Sequence, residues 1–292
     1  MQTVPAKTII TRTKNSQWFG ADYNMNIYRG CSHGCIYCDS RSDCFRIDNF
    51  DTVKPKGAAL QIVRDELRRK VKTGVIATGS MSDPYNPLER ELKLTRNALE
   101  LINAYGFGVA IATKSPLVSR DADVLREIKS HSPALVKVTV TTANEALCKK
   151  IEPNVAASSE RFEAVRTLAG SGICCGVLLM PILPFINDSE ENIREIVSRA
   201  ADAGAAFVYG AMGMTLRAGN REYYYQKLDQ SFGGVREKYI ARYGERYSCP
   251  SPRAKRLWEA FASQCEKLGL LYEMKAIVAR YRMGYGDGQM IF

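Results

Sequence analysis

The sequence predicts an α/β protein, a partial (β/α)6 barrel that is open on one side and carries a helical C-terminal extension. Short apolar runs alternate with amphipathic helical segments between residues 25 and 213, and this alternation is typical of parallel strands covered by helices. Six such units are present, fewer than the eight that close a barrel. A doubly wound sheet is the alternative fold, and in both folds ligands bind beyond the carboxyl ends of the strands.

The predicted strands are short and rich in apolar residues, which indicates burial on both faces. They cover residues 25–30, 74–80, 107–113, 134–142, 173–181 and 205–213. The helical segments repeat apolar residues at intervals of three and four. In the first of them, Leu60, Val63 and Leu67 share one side. The segments cover residues 57–71, 94–105, 121–131, 158–172 and 188–204, and Asp121 and Ser158 are suited to begin helices.

We expect three parts: an N-terminal segment (1–22), the barrel core (23–215) and a helical extension (216–292). Residues 217–247 of the extension hold six tyrosines and seven lysines or arginines. Residues 251–270 have the apolar spacing of a clear helix. The extension is expected to pack on the barrel and to cover its open side.

Composition limits the class of protein. With 46% hydrophobic and 25% charged residues, the 292-residue chain is typical of a globular protein with a substantial core. The N-terminus lacks the apolar stretch of a secretory signal, and prolines break the longest apolar runs, so we expect no membrane span. Nine cysteines in such a chain favour reduced thiols and a cytoplasmic location.

The net charge of +10 is uneven along the chain. Residues 217–292 hold 14 Lys and Arg against 8 Asp and Glu, a net +6. A basic extension that is rich in tyrosine can hold phosphates and stack on bases, which favours nucleic acid as a partner. A solvated basic surface with half-buried tyrosines is the alternative.

The stretch RGCSHGCIYCDSR, residues 29–41, places Cys31, Cys35 and Cys38 in a C-x3-C-x2-C spacing. In a [4Fe–4S] cluster each iron is usually held by one thiolate, so three cysteines leave one iron open to another ligand. The neighbouring glycines let the backbone turn tightly around such a cluster. Two alternatives stay open: a zinc ion with His33 or Cys44 as its fourth ligand, and three unligated core cysteines.

This spacing resembles the radical S-adenosylmethionine (SAM) superfamily. Residues 25–41 (MNIYRGCSHGCIYCDSR) resemble its branch that contains spore photoproduct lyase and the DNA-repair-photolyase-like proteins. Four later stretches resemble the same branch and follow successive predicted strands. They are GSMSDPYNPLE (79–89), ATKSP (112–116), IEPN (151–154) followed by Arg161, and PILPFIND (181–188).

The resemblance implies a TIM-like partial barrel that carries a radical SAM enzyme of the lyase or transferase type. Cys31, Cys35 and Cys38 would hold a [4Fe–4S] cluster whose open iron binds the amino and carboxylate groups of SAM. One electron from a flavodoxin- or ferredoxin-type donor would cleave SAM into methionine and a 5′-deoxyadenosyl radical, which abstracts hydrogen from a substrate. Tyr37 stands where the family has an aromatic residue near the adenine.

Position after the predicted strands suggests further residues that bind SAM. The candidates are Ser80, Ser82, Asp83, Lys114, Ser115, Thr141, Thr142 and Asn187. The lysine is suited to pair with the SAM carboxylate, and the threonines are suited to bond the ribose hydroxyls. A plain loop lysine and strand packing of the threonines are the alternatives. Glu152 is either a buried loop acid or a contact to SAM, and Ser80 and Tyr85 are the candidates for a catalytic group.

Two departures from spore photoproduct lyase argue against that activity. The lyase has a hydrogen-donating cysteine just after the second strand, where this chain has Ser80, and an O–H bond is far stronger than an S–H bond. The lyase also has a tyrosine after the third cluster cysteine, where this chain has Asp39. We therefore expect a radical SAM enzyme that acts on nucleic acid or a nucleotide-like substrate and repairs spore photoproduct poorly.

Other interpretations remain beside this one. A small metabolite or a peptide is the alternative substrate, and a zinc-binding module without catalysis is a third interpretation. We expect no second cluster, because the remaining cysteines are scattered along the chain. They are Cys44, Cys148, Cys174, Cys175, Cys249 and Cys265.

Overall fold

The structure, a computed structural model, describes residues 2–14 and 17–285. Its strands are, in chain order, β1 (Ile10–Arg12), β2 (Tyr23–Met25), β3 (Tyr28–Arg29), β4 (Lys54–Pro55), β5 (Val75–Thr78), β6 (Gly108–Thr113), β7 (Ala134–Thr139), β8 (Cys174–Leu179), β9 (Phe207–Gly210), β10 (Gly213–Thr215) and β11 (Ser248–Pro250). Seven of them form one sheet in the order β1-β2-β5-β6-β7-β8-β9. β1 pairs antiparallel with β2, and every other neighbouring pair in this sheet is parallel.

The parallel part of the sheet confirms the predicted partial barrel. Six parallel strands run in order from β2 to β9, and β1 and β9 stand at the two ends of that order in the described part of the chain. All four residues of β5 are buried, as are all six of β7. Strands that are covered on both faces need apolar side chains on both, which is why these runs do not alternate with polar residues.

The prediction of a first barrel strand over residues 25–30 is wrong. The sheet strand β2 lies earlier, and β3 instead pairs with β4 in a separate two-stranded ribbon. The side chain of Tyr28 still packs in the large core beside Met25, and its hydroxyl donates to the buried carboxylate of Glu89 at 2.5 Å. The edge strand β1 is not predicted by the sequence pattern, since only one of its three residues is buried.

The helices on the sheet confirm the predicted helical segments to within a few residues. The α-helices are α1 (Ala59–Arg68), α2 (Glu89–Leu92), α3 (Leu94–Ala104), α4 (Ala122–Lys129), α5 (Glu145–Ile151), α6 (Ser158–Gly170), α7 (Glu190–Asp202), α8 (Asn220–Ser231), α9 (Val235–Tyr243), α10 (Ala254–Lys267) and α11 (Met274–Arg282). The short helices α2 and α5 are not predicted. Within residues 2–14 and 17–285, no helix has both the length and the apolar character that crossing a membrane requires.

The two faces of the sheet contact two different cores. In β6, Val109 and Ile111 pack in the large core under the outer helices, whereas Ala110 belongs to the core inside the barrel. At the amino ends of the strands this inner core includes Phe19 and Tyr281, and the Tyr281 hydroxyl donates to the Phe19 carbonyl at 2.6 Å. The two terminal regions of the chain thus fill the amino end of the barrel, and a ligand can enter at the carboxyl ends of the strands.

The extension is helical, as expected, and it contacts the barrel at further places besides Tyr281. Helix α10 packs against α7, and α8 packs against the loop that follows β3. The interior of the α8–α9 pair is built from four buried tyrosines, Tyr224, Tyr225, Tyr239 and Tyr243. Their rings contact one another, with the centroids of Tyr224 and Tyr239 5.3 Å apart. Four of the six tyrosines in residues 217–247 are therefore packing residues, which corrects the expectation that they stack on bases.

Candidate active site

The loop that follows β3, residues 30–42 (the cysteine loop), carries the three clustered cysteines. Its start requires glycine, because Gly30 has a φ of +79° and a Cβ there would lie 2.6 Å from the Thr52 carbonyl oxygen. Two hydrogen bonds hold the same turn: Cys31 N donates to the Phe50 carbonyl at 2.8 Å, and Ser82 Oγ donates to the Gly30 carbonyl. The backbone of neighbouring loops therefore determines where the first thiol lies.

The three thiols are free and lie close enough to affect one another's protonation. Burial raises the pKa values of Cys35 and Cys38, and the ammonium group of Lys114 opposes that rise. Burial acts in the same direction on Cys31, but the hydrogen bond and the charge of His33 outweigh it, so the pKa of Cys31 is lowered. Positive charge beside these thiols favours the thiolate form that binds metal.

This set of donors suits an iron–sulfur cluster better than a zinc ion. Structural zinc needs four protein ligands around one point, and no three Cys, His, Asp or Glu side chains in the described residues are grouped to hold one ion. The two proposed fourth ligands have other partners: His33 lies 3.5 Å from Asp83, and Cys44 accepts from Arg217 at 3.8 Å. A [4Fe–4S] cluster places each thiolate on a different iron, so three thiols can surround it without converging on one point.

A buried ion pair lies behind Tyr37. Glu152 and Arg161 are both fully buried, and Oε2 of Glu152 lies 2.8 Å from Nη2 of Arg161. Glu152 also accepts a hydrogen bond from the Tyr37 hydroxyl and one from Thr141 Oγ1 at 3.4 Å. Of the two interpretations of Glu152, this geometry matches the buried loop acid, which here holds the ring of Tyr37 in place.

Asp83 joins three loops at the carboxyl end of the barrel. Its carboxylate accepts hydrogen bonds from Thr113 Oγ1 at 2.7 Å, from Lys114 N at 2.8 Å and from Tyr85 N at 2.9 Å. His33 of the cysteine loop lies on the same carboxylate at 3.5 Å. These contacts connect the loop after β5, the end of β6 and the cysteine loop, so Asp83 positions groups around the cysteines.

Several other candidates use their polar atoms within the protein. Ser115 Oγ accepts from a backbone amide two residues later at 3.3 Å, and Thr142 Oγ1 accepts from Asn144 N at 3.1 Å. Asn187 Nδ2 donates to the Thr141 carbonyl at 2.8 Å. The structure places these residues near the carboxyl ends of the strands, as the sequence predicts, and these hydrogen bonds hold the loops there.

Lys114 keeps its ammonium group beside the cysteines. Its Nζ lies 5.6 Å from the centroid of the Tyr37 ring. Burial works to lower the pKa of Lys114, but the negative charges of Cys35, Glu152, Cys38 and Asp83 outweigh it and raise that pKa above its ordinary value. The lysine is therefore a fixed positive charge at the place where the sequence predicts contact with a carboxylate.

A cavity of about 670 Å³, which we call the apolar pocket, opens beside the cysteine loop. The loop side of its lining includes Tyr37 and Cys38, and Ser80 also lines it. The other walls come from the ends of β8 and β9 and from the extension, and they include Met180, Met212, Met214 and Trp258. Asp39 is the one charged residue in its described lining. The volume and the apolar lining are typical of sites for cofactors and small ligands.

The two catalytic candidates lie in different surroundings. Ser80 is exposed and lines the apolar pocket. Tyr85 is 2% exposed in the large core and is absent from the described lining of that pocket. Cys38 is the one cysteine in that lining. Cys249 lies between two residues of β11 that line the pocket, but its own side chain is buried among the tyrosines of the α8–α9 pair. Successive residues of a strand point to opposite sides.

Two parts of the site are not predicted by the sequence. One is the contact of His33 with Asp83, which joins residues fifty positions apart. The other is the approach of Trp258, from the extension, to the methionines at the end of the barrel core. The sequence carries no signal for this contact, because Trp258 follows the apolar spacing of α10. Its ring centroid lies 5.3 Å from that of Phe261, although 42% of Trp258 is exposed.

Comparisons with known proteins agree with this geometry. A family model described as the radical SAM superfamily matches residues 25–200. An uncharacterized protein of Mycobacterium tuberculosis is 28% identical over 251 residues, which cover 84% of this chain and 72% of that protein. An uncharacterized protein of Methanocaldococcus jannaschii is 34% identical over 192 residues, which cover 66% of this chain and 71% of that protein.

Solved structures show the same fold. Spore photoproduct lyase complexed with dinucleoside spore photoproduct matches with a TM-score of 0.66 at 16% identity, covering 90% of this chain and 77% of the lyase. The radical SAM methyltransferase TsrM from Kitasatospora setae, with cobalamin and a [4Fe–4S] cluster bound, matches with a TM-score of 0.55 at 12% identity, covering 86% of this chain and 52% of that enzyme. Similarity at these identities shows the fold and leaves the substrate to be argued from the site.

Proposed function

The chain belongs to the radical SAM superfamily, and we propose that Cys31, Cys35 and Cys38 hold the [4Fe–4S] cluster with which this family of enzymes uses SAM. When bound and reduced, the cluster supplies the electron that cleaves SAM into methionine and a 5′-deoxyadenosyl radical, which takes hydrogen from a substrate. One observation carries the proposal: three free thiols lie on one loop anchored by Gly30, and that loop lines the apolar pocket.

The residues around the cysteine loop are suited to bind SAM there. Lys114 is proposed to pair with the SAM carboxylate, because its ammonium charge is held beside Cys35 and Cys38. Tyr37, whose hydroxyl donates to Glu152, is proposed to contact the adenine. Ser80 lines the same pocket. The remaining candidates are proposed to position these groups, as Asp83 does through its hydrogen bond to Lys114 N at 2.8 Å.

We propose that the substrate is nucleic acid or a nucleotide-like molecule whose planar ring enters the apolar pocket. Support comes from Trp258, which lines the pocket and is 42% exposed, since base–aromatic stacking stabilises such complexes. Tyr247, from the same extension, is 48% exposed, and the guanidinium carbon of Arg217 lies 4.6 Å from the centroid of its ring. The same arginine donates to the Tyr247 hydroxyl at 2.8 Å and lies 3.4 Å from Asp39, so the support here comes from the exposed ring, on which a base can stack.

Anaerobic reconstitution tests the cluster and the SAM chemistry together. The proposal predicts four irons per chain and release of 5′-deoxyadenosine when dithionite and SAM are added. One zinc and no iron in anaerobically purified protein would contradict it. Nucleotides, oligonucleotides, small metabolites and peptides are then compared as substrates, and a product seen only with the last two classes would overturn the substrate proposal.

Two tryptophan variants test the substrate pocket. Trp258→Ala should weaken binding of a single-stranded oligonucleotide at least about fivefold, the effect of losing one stacked base. The release of 5′-deoxyadenosine without substrate should stay unchanged. Trp18→Ala is the matched control, since Trp18 is 44% exposed and contacts Phe19 edge to face, outside the described pocket lining. Equal binding by both variants would remove Trp258 from the substrate site.

A further inference from the structure

A second cavity borders the cysteine loop. It measures about 500 Å³, and we call it the lysine cleft. Its lining includes Gly34 and Ile36, the two residues that flank Cys35, together with Lys149, Lys150 and Lys227. None of the described residues that line the apolar pocket also lines this cleft. The cleft thus brings the protein surface close to Cys35 at a place separate from the apolar pocket.

The cleft carries positive charge that no acidic side chain among the described residues neutralises. Lys149 and Lys150 are exposed on α5 and form no ion pair among the described residues. Lys227 is partly buried on α8, and its Nζ donates only to the neutral amide oxygen of Gln230, at 3.2 Å, in that part of the chain. The one acid that lines the cleft, Asp51, is already paired with the guanidinium group of Arg41. An exposed group of unpaired lysines attracts an anionic partner and speeds its encounter.

Helix α5, which carries Lys149 and Lys150, is held against the cysteine loop. At the end of α5, Ile36 N donates to the Ile151 carbonyl at 3.0 Å, and Asn154 N donates to the His33 carbonyl at 3.1 Å. A Cβ on Gly34, whose φ is +67°, would lie 3.0 Å from Pro153 Cγ, so the two segments meet too closely for a larger residue. A partner held by α5 is therefore held at a constant position relative to Cys35.

We propose that the lysine cleft is the docking site for a small acidic electron-transfer protein of the flavodoxin or ferredoxin class. This inference rests on the proposed function, since it concerns the delivery of the electron to the cluster held by Cys35. One electron leaves the reduced flavin or iron–sulfur centre of the donor and reaches the cluster, and no bond forms or breaks. Encounters of redox proteins use small surfaces and complementary charge, which is what a cleft with three lysines provides.

The cleft is poorly suited to nucleic acid, the other common anionic partner. Its one aromatic residue in the described lining is Tyr223, which is half-buried, whereas Tyr247 is 48% exposed. Two cations lie on the Tyr223 ring, the guanidinium carbon of Arg41 at 3.9 Å from its centroid and Nζ of Lys227 at 5.5 Å. A surface for single strands combines cations with open aromatic faces on which bases stack. The cleft has the cations and lacks an open face, so the donor protein is the better match.

Charge reversal tests the docking site. The triple variant Lys149→Glu, Lys150→Glu, Lys227→Glu is compared with a control triple, Lys72→Glu, Lys267→Glu, Lys275→Glu, whose lysines are exposed and outside the cleft lining. Both variants change the net charge by the same amount. Reduction of the cluster by a reduced acidic flavodoxin should slow about tenfold or more in the cleft variant at low salt. Binding of the oxidised flavodoxin should weaken in parallel, and the wild-type rate should fall as salt is added.

Reduction by dithionite separates docking from the state of the cluster. Iron content and 5′-deoxyadenosine release with dithionite should be equal in the wild type and in both variants. Equal flavodoxin binding in the wild type and the cleft variant would overturn the inference, and so would an equal loss in both variants. Loss of oligonucleotide binding with intact flavodoxin reduction would assign the cleft to nucleic acid instead. Wild-type protein without iron would overturn the proposed function, and the docking role with it.

Discussion

The apolar pocket and the lysine cleft border the same loop and differ in their chemistry. The pocket has walls of methionine and tryptophan and one charged residue in its described lining, Asp39. The cleft has three lysines and one aspartate that is already paired. An apolar wall favours a planar ligand in a site that excludes water, whereas exposed lysines favour an anionic partner that keeps its contact with water.

The short cysteine loop can border both regions because its successive residues line different cavities. Gly34 and Ile36 line the cleft, and Tyr37 and Cys38 line the pocket. The proposed route of the electron and the proposed place of the substrate are thus separated by a few residues of one loop.

The largest expected effect comes from removing a thiol of the cysteine loop, which both regions border. Cys35→Ala should abolish cluster assembly and SAM cleavage, because two thiolates are too few to hold the cluster with an open iron. Cys44→Ala is the matched control, since Cys44 is exposed, and it should keep both properties. Iron content and 5′-deoxyadenosine are measured after anaerobic reconstitution. Cleavage of SAM by the Cys35 variant at the wild-type rate would remove this cysteine from the site.

The residues that line the apolar pocket predict poor repair of spore photoproduct. Ser80 lines the pocket, and Cys38, a proposed cluster ligand, is the one cysteine in its described lining, so a free thiol that could donate hydrogen is missing there. The wild type should cleave SAM with little conversion of the dinucleotide photoproduct to two thymines. Ser80→Cys should increase that conversion, and Ser80→Ala should not. Clean repair by the wild type at the rate of the lyase would contradict this account of Ser80.

The buried ion pair behind the cysteine loop predicts a large loss of stability when its arginine is replaced. Arg161→Met leaves the carboxylate of Glu152 buried without its cation, which typically costs about 3–5 kcal/mol. Arg166→Met breaks an exposed ion pair with Glu163 instead and should cost less than about 1 kcal/mol. Thermal unfolding of the two variants measures the difference. Equal midpoints would show that the buried pair does not support the loop.

A lysine inside the barrel contrasts with the cleft lysines, because it has the same side chain but is buried away from water. Lys137 is 2% exposed, and its Nζ lies 4.4 Å from the Phe19 ring centroid. Burial alone lowers the pKa of Lys137 to about 7. Between that value and the ordinary lysine pKa of 10.5, the unfolded chain holds a proton that the folded chain has released. Stability should therefore rise with pH across this window.

Lys137→Met should remove this dependence on pH and stabilise the fold by about 1–3 kcal/mol at neutral pH, since a polar group whose burial is costly leaves the interior. Lys149→Met, at an exposed position of the cleft, should leave the unfolding midpoint unchanged. The midpoints are measured from pH 7 to pH 10. An equal slope in the wild type and the Lys137 variant would show that this lysine is solvated in the folded protein.

Much of the barrel is predictable from the sequence, for a physical reason. Strands β5 to β9 are buried on both faces, so their apolar runs stand out, and the helices between them repeat apolar residues on one side. The edge strand β1 and the seven-residue helix α5 are too short and too polar to show such patterns. The position of β2 is mispredicted because Ile27 and Tyr28 are buried like sheet residues, although Tyr28 pairs with Pro55 in the separate ribbon.

The site is predictable where its residues are neighbours in sequence and unpredictable where the fold brings them together. Three cysteines within eight positions indicate a cluster directly. The wall formed by Met214 and Trp258, and the cleft between α5 and α8, depend on how the extension docks on the cysteine loop. The sequence also does not show which polar atoms already have hydrogen-bond partners within the protein. The carboxylate of Asp83, for example, accepts three hydrogen bonds.

The open iron is the central claim, and electron paramagnetic resonance of the reduced, reconstituted protein tests it most directly. The account predicts the signal of one reduced [4Fe–4S] cluster per chain, and a changed signal when SAM is added, because SAM becomes a ligand of the iron that Cys31, Cys35 and Cys38 leave free. A cluster signal that SAM does not change, or reconstituted protein with no cluster signal, would contradict it.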